Sequence, residues 1–125
     1  MISKGKIEII KKQLDKKGLE MSYIISKESA AALLSGREYK KQNTQVSNEY
    51  GQNTLRLWGN RIAWLFESGV LCFSLCGWDS RTTCERLRAL GLPINHKRGK
   101  LFCGDREIDA FAKYTFVNNS AQAAQ

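Results

Sequence analysis

Residues 54–78 read TLRLWGNRIAWLFESGVLCFSLCGW, and this stretch decides the fold. It is dense in branched and aromatic residues, and small turn-forming residues interrupt it at short intervals. Gly59-Asn60 is a pair that tolerates positive φ, so it marks a tight hairpin turn between strands at about 54–58 and 61–66. Glu67-Ser68-Gly69 marks the next turn, with Gly69 suited to a left-handed position, and leads into a strand at about 70–76. In that strand Leu71, Phe73 and Leu75 alternate with Cys72, Ser74 and Cys76, so the large residues are expected on the core face. Upstream, NTQVSNEY supplies a further strand at about 43–49. The expectation is an antiparallel meander of about four strands.

Downstream, DSRTTCERLRALG predicts a helix over 79–91. Asp79 or Ser80 can cap it, and Thr82 with Glu85 has the spacing of a capping box. Leu87 and Leu90 share a face with Thr83 and Cys84, which sets Arg81, Arg86 and Arg88 elsewhere. LPINHKRGKLFCGD then reads as a last hairpin with His-Lys-Arg-Gly-Lys at its tip. VNNSAQAAQ, small and polar, reads as a disordered tail over 117–125. At the other end, Ile7, Ile10 and Leu14 fall on one helical stripe within 6–17, and Gly18 is a suitable residue to end it. Met21–Ile25 reads as an apolar link, and Ser26 as the cap of a second helix closed by Gly36. The fold class expected is α+β. A helical segment at 1–41 precedes a sheet-plus-helix domain at 42–116, and helices cover one face of the sheet.

The chain of 125 residues suits one domain, with 42% hydrophobic and 26% charged residues. No apolar stretch reaches the ~18 residues a membrane span needs, and no signal-peptide h-region follows the N-terminal lysines. The expected location is therefore the cytoplasm, without a membrane partner. The formal charge is +8, unevenly spread: residues 1–41 carry +5, residues 42–79 carry −1 and residues 80–125 carry +4. Such a balance attracts nucleic acid, nucleotides or an acidic protein face, and excludes an acidic mimic of DNA.

The best positive signal is basic residues interleaved with aromatic ones. Arg56, Trp58, Arg61 and Trp64 alternate along the central hairpin. An indole face can stack on a base and a guanidinium can grip a phosphate with forked geometry. Arg81, Arg86, Arg88, Lys97, Arg98 and Lys100 form a second basic set around the helix and hairpin tip. The candidate ligand-binding residues are therefore Arg56, Trp58, Arg61, Arg81, Arg86, Arg88, Lys97, Arg98 and Lys100. Trp64 and Trp78 are weighed rather as core residues.

Catalysis finds little support. The chain has one histidine, His96, and no phosphate-binding loop, dinucleotide fingerprint or H-E-x-x-H motif. No enzyme and no cofactor are expected. Asp105, Glu107 and Asp109 alternate as a strand-borne metal set would, but read more simply as surface charges. They leave a small metal-dependent nuclease as a remote third reading. Cys72, Cys76, Cys84 and Cys103 contain no C-x2-C pair, and without a secretory leader they read as buried thiols rather than zinc ligands or disulfides.

Residues 30–104 resemble a group of small proteins encoded by bacteriophages and prophages. The resemblance is carried by Asn43-Thr44, Gly59-Asn60, Ile62-Ala63, Gly77-Trp78 and Thr82-Thr83-x-Glu85-Arg86-Leu87, in that order. The chain departs from the group at Arg88, where Asn is usual, and at Ile108-Asp109, where a Trp is usual. The resemblance implies an accessory protein that alters host machinery or neutralises host defence. Two roles follow. One is a non-enzymatic binder of nucleic acid or a nucleotide signal. The other is an anti-CRISPR-type inhibitor docking on a host defence complex, and self-association stays open in both.

Overall fold

The computed structural model describes the backbone of residues 4–124 and the side chains of residues 20–124. The elements run α1 (Lys4–Ser35), β1 (Tyr39–Lys41), β2 (Thr44–Glu49), β3 (Gln52–Leu57), β4 (Asn60–Leu65) and β5 (Leu71–Phe73). They continue with α2 (Arg81–Ala89), β6 (Ile94–Lys97), β7 (Lys100–Cys103), β8 (Arg106–Glu107), β9 (Tyr114–Val117) and β10 (Ser120–Ala123). The expected α+β class with about four strands is thus corrected. Among the described residues the body is mostly β, with ten strands in a seven-stranded sheet ordered β1-β2-β3-β4-β5-β9-β10 and a three-stranded sheet ordered β6-β7-β8.

The central meander runs about where the sequence puts it, except that the expected strand at 70–76 is only Leu71–Phe73, because Cys76 and Gly77 turn the chain at positive φ. The strand pairs β2–β3, β3–β4 and β4–β5 are all antiparallel. The core face carries the row Val46, Leu55, Ala63, Phe73 and Tyr114, cross-strand neighbours across five strands. A register shift between Leu55 and Arg56 sets Ile62 and Ala63 against one residue of β3, so both are buried in the core. The opposite face carries Ser47, Thr54, Trp64, Cys72 and Thr115.

Two strands beyond the expected meander come from the C-terminal segment. The described residues 117–124 do not form the expected disordered tail. Asn118 and Asn119, both with positive φ, turn the chain between Val117 and Ser120, and β10 pairs with β9. Asparagine tolerates this conformation better than other side chains, and the turn is of the kind two-residue hairpins favour. β9 then pairs with β5, and Ala121 is fully buried.

The helical segment is also corrected. α1 is one helix of 32 residues, with neither the end at Gly18 nor the link at 21–25. The stripe of Ile7, Ile10 and Leu14 lies outside the described side chains. Ser26 does not cap. It is buried with Ile25, Ser29, Ala30, Ala32 and Leu33, a helical stripe packed against α2 and the sheet. Packing of that stripe outweighs the ~1 kcal/mol that a mid-helix glycine costs. Gly36 does close the helix, at φ 74°, and the Arg37 amide donates to the Ala32 carbonyl at 2.9 Å.

α2 is capped by Ser80, whose hydroxyl accepts from the Thr83 amide at 3.1 Å. Thr82 and Glu85 form no capping box; Glu85 instead pairs with Arg81 at 3.0 Å.

Candidate functional site

The nine basic and aromatic candidates do not share one face, and burial separates them. Arg86 is 2% exposed and is among the largest fully buried side chains. Its Nε donates to Thr44 Oγ1 at 3.1 Å, and its Nη1 donates to Ser22 O at 2.9 Å and Ser26 Oγ at 2.6 Å. It thereby ties α1, α2 and β2 together. Ser22 relays this to Glu85, donating at 2.7 Å. Burial holds the Arg86 pKa below its ordinary value, opposed by the charges of Glu85 and Tyr39. Arg86 is thus a buried fold contact and not the exposed ligand contact its sequence position suggests.

Arg56 is spent on a neighbour. Its Nε and Nη2 donate to the Glu49 carboxylate at 2.9 and 2.7 Å, and its Nη1 donates to the Gly59 carbonyl at 2.8 Å. The hydrogen bonds from Arg56 hold the Glu49 carboxyl below its usual range. The Arg61 guanidinium sits over the Trp64 ring, its Cζ 4.1 Å from the ring centroid. Trp64 is buried, as expected, but on the sheet face away from α1.

Trp58 and Trp78 are the exposed pair, at 55% and 59%. Trp78 is therefore not a core residue. Both stand at tight turns. Trp58 and Gly59 have φ 49° and 80° between the paired residues Leu57 and Asn60, so the turn lies one residue earlier than Gly59-Asn60. Cys76 and Gly77, at φ 55° and 80°, make the turn that the Trp78 amide closes onto the Leu75 carbonyl at 2.9 Å. A tryptophan at positive φ is an unfavourable choice for the turn alone. The two rings meet at 6.3 Å between centroids, tilted by 48°. Phe111, 80% exposed, packs its ring on Gly77; a Cβ there would come within 2.4 Å of it.

One side-chain contact links the Trp78 turn to the strand that leads into the basic hairpin tip. Asp79, next to Trp78, meets His96 Nε2 at 2.7 Å, and His96 directly precedes the tip. Arg98-Gly99 form the turn, at φ 53° and 74°, so Lys97, Arg98 and Lys100 all stand exposed. Lys97 lies 5.8 Å from the Phe102 ring and Lys100 4.0 Å from Glu107. Arg81 and Arg88 lie elsewhere. With Tyr23, Lys27 and Glu85 they line a groove of about 530 Å³ between α1 and α2.

The remaining titratable sets are equally divided. Asp105, Glu107 and Asp109 are exposed and form no metal-ligating cluster among the described residues. Cys72, Cys84 and Cys103 are buried thiols, Cys76 is half-buried, and burial pushes the Cys103 pKa up. Sequence reasoning missed one grouping, Asp79 with Cys84 and His96, whose donor atoms all lie within 4.8 Å of one another. Nothing in the local spacing signals it, because His96 arrives from β6, outside the α2 segment that carries the other two.

No curated protein and no solved structure matches the chain. A family match spans residues 22–122. It opens at Ser22 on α1, a partner of the buried Arg86, and ends inside β10, so that it reaches every described strand. The part of α1 that clamps Arg86 and the C-terminal strands thus lie within the matched span, and the chain belongs to the family of the Kyanoviridae Gp96 protein, a bacteriophage family.

Proposed function

We propose that this phage protein is a non-enzymatic binder of nucleic acid, with single strands as the preferred form. Trp58 and Trp78 would supply the stacking surface, and Lys97, Arg98 and Lys100 the phosphate contacts. The observation that carries the reading is the pair of indoles held in solvent on two adjoining tight turns. Such rings accept any base, because every base has a π-face. The hairpin tip that follows His96, itself bound to Asp79 beside Trp78 in the chain, provides exposed cations. Arg81 and Arg88 belong to another groove and take no part, and Arg56, Arg61 and Arg86 act within the fold.

The test is titration of the full chain with a fluorescent single-stranded oligonucleotide at several salt concentrations. Three phosphate contacts should give a slope of about −2 in log K against log salt. The doubly substituted Trp58→Ala, Trp78→Ala protein should bind at least about tenfold more weakly, from stacking of ~1–3 kcal/mol per base. Absence of binding at low salt would sink the reading.

One observation favours a second reading, a host protein as partner. Phe111 extends the patch beyond what a base platform needs, and clustered aromatic anchors are typical of interface hot spots. Salt-insensitive capture of one host defence component, with no oligonucleotide binding, would select it.

A further inference from the structure

Asp79, Cys84 and His96 come from three different settings. Asp79 lies just before the capping residue of α2, Cys84 lies within the first turns of α2 and faces inward, and His96 lies on β6. His96 Nε2 lies 2.7 and 2.9 Å from the two Asp79 carboxylate oxygens. The Cys84 thiol donates to Asp79 Oδ1 at 3.5 Å. Cys84 is 1% exposed and forms a floor. The Asp79 and His96 side chains, 38% and 43% exposed, form a rim open to solvent.

We propose that these three residues bind one divalent transition metal ion of the zinc class, leaving a fourth position open to solvent. A tetrahedral ion with bonds of ~2.0–2.3 Å holds its donor atoms roughly 3.3–3.7 Å apart. The sulfur–oxygen separation of 3.5 Å already fits. The imidazole–carboxylate contact must open by under about 1 Å, a small movement for two exposed side chains. One thiolate, one imidazole and one carboxylate favour zinc or cobalt over magnesium or calcium, which take all-oxygen sets.

A nucleophilic Cys84 is the competing chemistry, and the geometry argues against it. Cys84 is 1% exposed and its S–H is turned onto the Asp79 carboxylate, so the sulfur is not open to a substrate. The imidazole Nε2 that would have to activate the sulfur faces the carboxylate instead. A metal ion replaces both contacts at once and supplies the positive charge that a buried thiolate needs. The proposal rests on no part of the nucleic-acid reading.

The experiment is titration of the chelator-stripped full chain with Co²⁺ alone, followed by Zn²⁺ as competitor. One equivalent of Co²⁺ should produce thiolate-to-cobalt charge-transfer absorption, and Zn²⁺ should abolish it. His96→Ala, a change on an exposed side chain, should weaken Co²⁺ binding at least about tenfold. Cys84→Ser should abolish the band. Because Cys84 is buried, its circular dichroism is read alongside, and Cys103→Ser should keep the band. No charge-transfer band at millimolar Co²⁺ would overturn the proposal. A band that survives His96→Ala at unchanged affinity would do so too, since it would arise from other thiols.

Discussion

Arg86 shows how a single residue can invert its expected role. Its position in the helix 79–91 suggested an outward cation, yet its guanidinium holds two α1 serines and Thr44 in place. Arg86→Ala would leave those hydroxyls and the Ser22 carbonyl without their donor and open a cavity. The expected loss is about 2–4 kcal/mol in denaturant unfolding, and oligonucleotide affinity should not change at a temperature where the variant is folded. An affinity loss in folded protein would return Arg86 to the binding surface. Glu49 gives a second expectation at this scale. Its carboxyl is held low by Arg56, so its contribution to stability is complete above the ordinary glutamate value of about 4.3. That contribution disappears as the pH falls through the lower folded value. Thermal unfolding of Glu49→Gln should therefore lie below the parent at neutral pH and converge with it in acid. A gap that persists at pH ~2.5 would show that the carboxylate charge is not the cause.

Among the elements, the β3–β4 hairpin carries the sharpest conflict between local preference and observed residue. Its two-residue turn needs positive φ at both positions, and Trp58 occupies the first. Asn-Gly is the favoured pair for such a turn. Trp58→Asn should stabilise the hairpin by about 0.5–1 kcal/mol, by analogy with other relief of backbone strain, while weakening oligonucleotide binding. Opposite signs in the two measurements would mark Trp58 as a functional residue that the turn tolerates. A drop in melting temperature would mean that the indole contact with Trp78 stabilises the turn instead.

The whole molecule depends on a strand pairing between distant parts of the chain. After β5 the chain leaves the large sheet, forms α2 and the small sheet, and returns as β9 against β5. Tyr114 and Ala121 enter the core, and Arg106 Nη1 donates to the Ala121 carbonyl, linking β8 to β10. Removing residues 114–125 would expose the edge of β5 and the ring face of Phe73, which stacks on Tyr114 at 5.6 Å. The truncated chain should aggregate or lose cooperative unfolding, seen by size-exclusion chromatography and denaturant titration. A truncated monomer that still unfolds in one sharp transition would show that β1–β5 and the small sheet suffice.

Local chemistry by itself determined the central meander, the capped helix after Trp78, the 94–103 hairpin and the closure of α1 at Gly36. Each is written in alternation or turn chemistry within about ten residues, and those preferences act without the rest of the chain. The exposed basic tip at Lys97, Arg98 and Lys100 was legible for the same reason. Only the tertiary structure decided that α1 runs unbroken past Gly18, because the packing of Ile25 to Leu33 lies on other elements. The same holds for the C-terminal strands, whose short polar sequence gains its order from pairing with β5. Exposure of Trp78, burial of Arg86 and convergence of Asp79, Cys84 and His96 are likewise products of distant segments meeting. Burial and ligand geometry depend on what arrives from elsewhere in the chain, and no local pattern encodes that.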